Sequence, residues 1–129
     1  MPRTASTRSM TMLDVGDGTA IVLRSGTTAT LYDIGSLHRP SIGRRVVVPA
    51  LRSLGVRSID AIVVSHPNRD HFSGVMEVVA SLPVGEVVMS PQCLDLARGP
   101  HPGAVGALVS DLAAAGVRDR WPPADFSRG

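Results

Sequence analysis

Near the start of the chain three short runs rich in apolar and β-branched residues have the character of β-strands: TMLDV at 11–15, TAIVLRS at 19–25 and TATLYDI at 28–34. Gly-containing turns, DG at 17–18 and SGTT at 25–28, separate them, so the spacing predicts an antiparallel meander. Helical spacing follows. In VVVPALRSLG, Val47, Leu51 and Leu54 fall on one helical stripe that stops at Gly55, with Pro49 suited to the first turn, where its missing N–H costs least. IDAIVVS at 59–65 is nearly continuous in apolar residues, the pattern of a strand covered on both faces. HFSGVMEVVASL follows, and the stripe Phe72, Val75 or Met76, Val79 and Leu82 predicts a helix beginning just after Asp70. EVVMS at 86–90 reads as the next strand, and VGALVSDLAAAG, with Val105, Leu108, Val109 and Leu112 on one side, as a last helix ended by Gly116.

Strands first, then helix and strand in alternation, predict an α/β fold with helices laid on a sheet. Residues 1–10 read as a disordered N-terminus, 11–116 as the folded domain and 117–129 as an irregular tail. A strand belongs after Gly116 in an alternating fold, yet VRDRWPPADFSRG offers two consecutive prolines and little apolar alternation.

Composition narrows the picture. With 129 residues, 43% of them hydrophobic, the chain is one domain's worth with material for a moderate core. No run approaches the roughly 18 apolar residues that span a bilayer, and MPRTASTRSM has no apolar signal region, so a soluble cytoplasmic chain is expected. A single Cys93 excludes an internal disulfide and a thiolate zinc cage; it reads as a small buried hydrophobe. Every basic residue is Arg, and Arg39, Arg44, Arg45, Arg52 and Arg57 crowd into nineteen positions. Guanidinium forks match phosphate, but a net charge of +2 also fits a merely solvated helix face.

The chemistry gathers in SHPNRDHFSG, residues 65–74. A strand ending at His66, then a loop, then Asp70 and His71 at a helix start would set two imidazoles and a carboxylate around one small volume, at the carboxyl edge of the sheet where open α/β folds bind ligands. Such N and O donors suit a borderline cation such as zinc. Plainer roles fit as well: His66 closing the strand, Asp70 capping the helix, His71 exposed in its first turn.

The loop resembles the His-x-His-x-Asp-His motif of the metallo-β-lactamase superfamily. LDVGDGTAIVLRS (13–25), LYDIGS (31–36) and VVVPALRSLGVRSIDAIVVSHPNRDHFSGV (46–75) are similar, in that order, to the metallo-β-lactamase-like domain of ComEC-type competence proteins, which take up DNA. The resemblance implies an αββα sandwich, of which this sequence reads as the N-terminal half. It makes His66 a candidate ligand of a first metal ion, and Asp70 and His71 of a second, with Asp70 also orienting the attacking water as catalytic residue. Asn68 stands in the slot of the middle histidine; its amide oxygen is a weaker ligand that suits harder ions such as manganese. Asp14 and Asp33 correspond to family aspartates that fix turns near the loop and brace the ligands from behind, and Gly16, Gly18 and Gly35 to turn glycines. The cofactor implied is one or two divalent ions, zinc or manganese, and the activity is hydrolysis of a phosphodiester, with nucleic acid as the substrate.

The later ligands of the superfamily have no counterpart here, since His101, in GPHPG, and His38 both read as loop residues. Two expectations therefore stand. One is a metal-dependent hydrolase, with a second copy of the chain covering the open sheet face. The other is a truncated, catalytically inactive metal-binding or interaction fragment.

Overall fold

A computed structural model describes residues 8–120. Within them lies one six-stranded sheet whose spatial order follows the chain: β1 (Arg8–Met12), β2 (Gly18–Ser25), β3 (Thr28–Ser36), β4 (Ile59–Val64), β5 (Val84–Met89) and β6 (Arg118–Arg120). The first three strands form the expected antiparallel meander, and β3 to β6 run parallel. The parallel connections carry α1 (Val48–Ser53), entered through a π-helical turn over Gly43–Val47, then α2 (Val75–Ser81), then α3 (Pro91–Ala97) and α4 (Gly103–Ala114). This is the mixed α/β architecture that the strand and helix patterns predict. Among the described residues no helix is long and apolar enough to cross a membrane.

The two faces of the sheet differ. Val22, Leu31, Ile62 and Val87 lie side by side across four strands, and each is 0% exposed. Val47, Leu51, Val75, Val78, Leu108 and Leu112 of the helical layer join them in a single cluster. Burying a side chain such as Leu51 contributes about 1.5–3 kcal/mol, so this layer carries most of the stability. The neighbouring row, Met12, Ile21, Tyr32 and Val63, points the other way. It is more open, with Met12 70% exposed. IDAIVVS is thus fully covered on one face and half covered on the other, rather than buried on both.

Several local features depart from the sequence pattern. Strand β1 begins at Arg8, ahead of position 11, while residues 1–7 lie outside the described range. Between Asp70 and α2 a 3-10 turn, Arg69–His71, intervenes, and α2 starts only at Val75. Val78, three residues on from Val75, therefore reaches the core in place of Val79. Helix α3 has no counterpart in the expected elements; its start is fixed by Ser90, whose hydroxyl accepts from Cys93 N, and by Pro91 in the first turn. Arg118–Arg120 form β6 where the sequence predicts irregular chain. Main-chain pairing to β5 and an ion pair of Arg120 Nε with Glu86 Oε1 at 3.2 Å hold it there without an apolar alternation. The remainder of the predicted tail, 121–129, lies outside the described residues.

Strand β3 carries the irregularity that matters most. Ala20 pairs with Ile34 while Ile21 pairs with Tyr32, so Asp33 is an extra residue with no partner on β2. Its φ of 57° is left-handed, a conformation Asp adopts more readily than most residues. Such a bulge re-aims a side chain. Here it lets Asp33 and Ile34 both be buried in succession.

Candidate functional site

Because β3 and β4 are parallel neighbours paired up to Tyr32 and Val63, Asp33 at the bulge within β3 lies beside Ser65, the first residue past the carboxyl end of β4. The Asp33 carboxylate, 1% exposed, accepts three hydrogen bonds: from Ser65 N at 2.8 Å, from Ser65 Oγ at 2.7 Å and from His71 Nδ1 at 2.7 Å. A carboxylate only accepts, so His71 Nδ1 is the donor of this bond, and in the neutral tautomer that it selects Nε2 is left with the lone pair. Ser65 Oγ, having donated to Asp33, is left to accept from His66 Nδ1 at 3.0 Å, which turns the Nε2 of that ring away from the bond in the same manner.

The loop that delivers His71 is braced by main-chain bonds. His71 N donates to Asn68 O, Ser73 N to Arg69 O, and Gly74 N to Ile34 O. Gly35 lies directly beneath it: a Cβ there would meet the Asp70 carbonyl carbon at 2.4 Å. Gly18 serves the same closeness one strand away, since its Cβ would strike Gly35 O at 2.0 Å. Of the three glycines expected at turns, Gly16 has a left-handed φ of 78°, whereas Gly18 and Gly35 lie within strands and are needed for close backbone approach.

Asp70 and His71 come together, with Asp70 Oδ2 3.7 Å from His71 Nε2 and both side chains partly exposed. His66 lies beside them, its ring centroid 4.8 Å from that of His71, but the residue is exposed. Among the described residues no three His, Cys, Asp or Glu side chains are gathered closely enough to hold one metal ion. Asp70 and His66 thus each lie beside His71, but the three do not gather on one point. Asn68 is exposed at the start of the 3-10 turn and makes no side-chain cap bond.

The other expected residues lie apart. Asp14, with a side chain 95% exposed, accepts from Gly16 N at 3.2 Å and stands 3.6 Å from Arg39 Nη1. It shapes the turn after β1, and among the described residues none of its hydrogen bonds reaches the HPNRDH loop. His38 pairs with Asp17 at 2.9 Å, and His101 is exposed in its loop. The sequence pattern does not single out Ser65, the residue whose hydroxyl ties the His66 imidazole to Asp33. Its one signal is a hydroxyl directly before His66 at a strand end.

The metallo-beta-lactamase superfamily model matches residues 13–126. The chain belongs to that superfamily. It is also similar to the competence protein ComA of Neisseria gonorrhoeae, with 32% identity over 79 residues, which is 61% of this chain and 11% of that protein. The chain thus spans about a tenth of the length of this curated relative.

Divalent metal binding is general in the superfamily, and the residues present fit it in part. Two donors at 3.7 Å can share an ion held roughly 2.0–2.2 Å from each. A histidine whose far nitrogen donates to a carboxylate is the usual presentation of a metal-ligating imidazole. His71 on Asp33 has that form.

Proposed function

We propose that this chain is a metal-dependent hydrolase of ComEC-like type that acts on phosphodiester bonds of nucleic acid. The observation that carries the reading is the pair formed by His71 Nε2 and Asp70 Oδ2, 3.7 Å apart, with His71 fixed from behind by a buried carboxylate. His71 and Asp70 would hold the cation, zinc or manganese, with His66 and the amide oxygen of Asn68 as the further donors that the loop offers. A bound divalent ion supplies a water acidic enough to attack at neutral pH and stabilises charge on the phosphoryl oxygens. The second carboxylate oxygen of Asp70 would be free to accept a hydrogen bond from the attacking water and orient it. Asp33 keeps the proton of His71 on Nδ1, and Ser65 does so for His66, so both rings present lone pairs rather than N–H groups to the site.

Nucleic acid as substrate is supported by the likeness to a competence protein and by exposed Arg44, Arg45, Arg52 and Arg57 on and around α1. Metal content by mass spectrometry, together with turnover of bis-p-nitrophenyl phosphate with and without manganese or zinc, tests the reading. Stoichiometric metal and turnover lost in Asp70→Ala and His71→Ala are expected. Purified protein that takes up no metal and shows no turnover overturns it. A second reading, a loop that holds a cation without hydrolysis, is favoured by the two-donor convergence, and stoichiometric metal without turnover would select it.

A further inference from the structure

Beside the HPNRDH loop lies a cavity of about 280 Å³, walled on one side by Ser36, His38 and Arg39 and on the other by Arg69, Ser73 and Glu77. Its walls are tied together: Ser36 N donates to Ser73 Oγ at 3.0 Å, Ser73 Oγ donates to Ser36 O at 3.3 Å, and Arg39 N donates to Ser36 Oγ at 3.2 Å. Ligand pockets for whole small molecules run from about 300 to 1,000 Å³. This one is on the scale of a single phosphate with part of its sugar.

The charges inside are unevenly committed. Glu77 Oε1 already accepts from Arg44 N at 2.8 Å. His38 is turned to Asp17. Arg39 touches Asp14 only at 3.4 Å to its carbonyl and 3.6 Å to its carboxylate, with half its side chain exposed. Arg69 makes no ion pair among the described residues. Two guanidinium groups against one engaged carboxylate leave the cavity formally positive, and the planar fork of Arg is suited to phosphate oxygens.

We infer that this cavity holds a phosphate of a nucleic-acid strand adjacent to the one being cleaved, with Arg39 and Arg69 as its charged contacts. Arg69 directly precedes Asp70, so their Cα atoms stand about 3.8 Å apart, and a strand whose reacting phosphate lies at Asp70 and His71 carries its neighbour past Arg69. The inference rests on the hydrolase reading for its substrate, but it is a statement about binding and is tested with no metal present.

In EDTA, the full chain is titrated with tetrathymidylate and, separately, with inorganic phosphate, followed by amide NMR shifts across a series of salt concentrations. Arg39→Gln and Arg69→Gln are each expected to weaken tetrathymidylate binding about tenfold and to lower the salt dependence by about one counterion. Arg69→Lys restores the salt slope but not the full affinity, and Arg98→Gln, at the far end of α3, behaves as the parent does. Binding that falls equally in all three Arg→Gln variants, or in none, overturns the inference. So does inorganic phosphate binding as tightly as the oligonucleotide, which assigns the cavity to the free anion. Failure of the hydrolase reading shows separately, as absent metal uptake or turnover.

Discussion

His71 Nδ1 lies 2.7 Å from Asp33 Oδ2, although the two residues are 38 positions apart and Asp33 sits at a bulge in the middle of the sheet. Asp33→Ala removes the acceptor of three hydrogen bonds and places Ala at φ 57°, where a non-Gly residue costs about 1–2 kcal/mol. Leaving charged-type bonds unmade adds roughly 1.5–3 kcal/mol. Asn tolerates the left-handed backbone and keeps one acceptor oxygen, so Asp33→Asn is expected to be about 2 kcal/mol more stable than Asp33→Ala. Urea unfolding of the two variants checks this. Equal stability would mean that Asp33 braces nothing.

Ser65 makes a narrower prediction, because its hydroxyl joins Asp33 to His66 while its main chain keeps its own bond to Asp33. Ser65→Ala should cost only about 1 kcal/mol of stability. Its effect on zinc or manganese affinity should be larger, about 10-fold or more, since partners that orient ligating histidines typically change metal affinity 10–100-fold. Ser65→Thr retains a hydroxyl and should recover most of the loss. Isothermal titration of the three proteins with zinc decides it.

Much of this arrangement was legible before any coordinates. The meander, the strands expected at 59–65 and 86–90, and helices α1, α2 and α4 follow from apolar runs and from stripes at a period near four, whereas α3 does not. The Asp70-His71 pair follows from its place between strand and helix. The bulge leaves a trace in the sequence, since Ala29 and Leu31 fall on one parity and Ile34 on the other with polar Asp33 between them, but a phase slip of one residue in so short a run does not say where the extra residue lies; the pairing of Ala20 with Ile34 and of Ile21 with Tyr32 does. Gly18 and Gly35 resembled turn glycines, since a close approach between strands leaves no local signature. Asp14 and Asp33 looked alike in sequence, each an aspartate near a glycine, and only burial separates them, at 95% exposed for the Asp14 side chain against 1% for Asp33. Arg118–Arg120 lack apolar character because an edge strand held by its ladder needs little.

Gly35→Ala tests how the HPNRDH loop is seated. The added methyl would lie 2.4 Å from the Asp70 carbonyl carbon and 2.6 Å from Arg69 O, both main-chain atoms that cannot swing aside as a side chain does. Overpacking of this kind costs about 1–3 kcal/mol. Displacing Asp70 should also weaken metal uptake. Gly55→Ala is the comparison: its φ of 79° makes Ala strained there, yet nothing lies within 4 Å of the added Cβ. Both variants should melt at lower temperature, and only Gly35→Ala should lose metal affinity as well.

Cys93 provides a chemical probe of the packing behind the site. It is 0% exposed, takes a hydrogen bond from Ser90 Oγ at 3.3 Å, and approaches Val64 O at the end of β4. Burial pushes its thiol above the ordinary value of 9.0, the negative charge of Asp33 adds to this, and the bonds from Ser90 oppose it. The native thiol should therefore resist iodoacetamide, whose target is the thiolate, until the chain unfolds. The same shift fixes the sign of a pH effect. The unfolded chain gives up the proton above 9.0 while the folded chain keeps it, so the contribution is complete below that pH and is lost as pH rises through the folded value. Cys93→Ala should be less stable at neutral pH, because it leaves a small void. Its stability should fall less steeply than that of the parent between neutral pH and the alkaline range, as urea midpoints at a series of pH values would show, and parallel curves for the two proteins would place the thiol in contact with solvent.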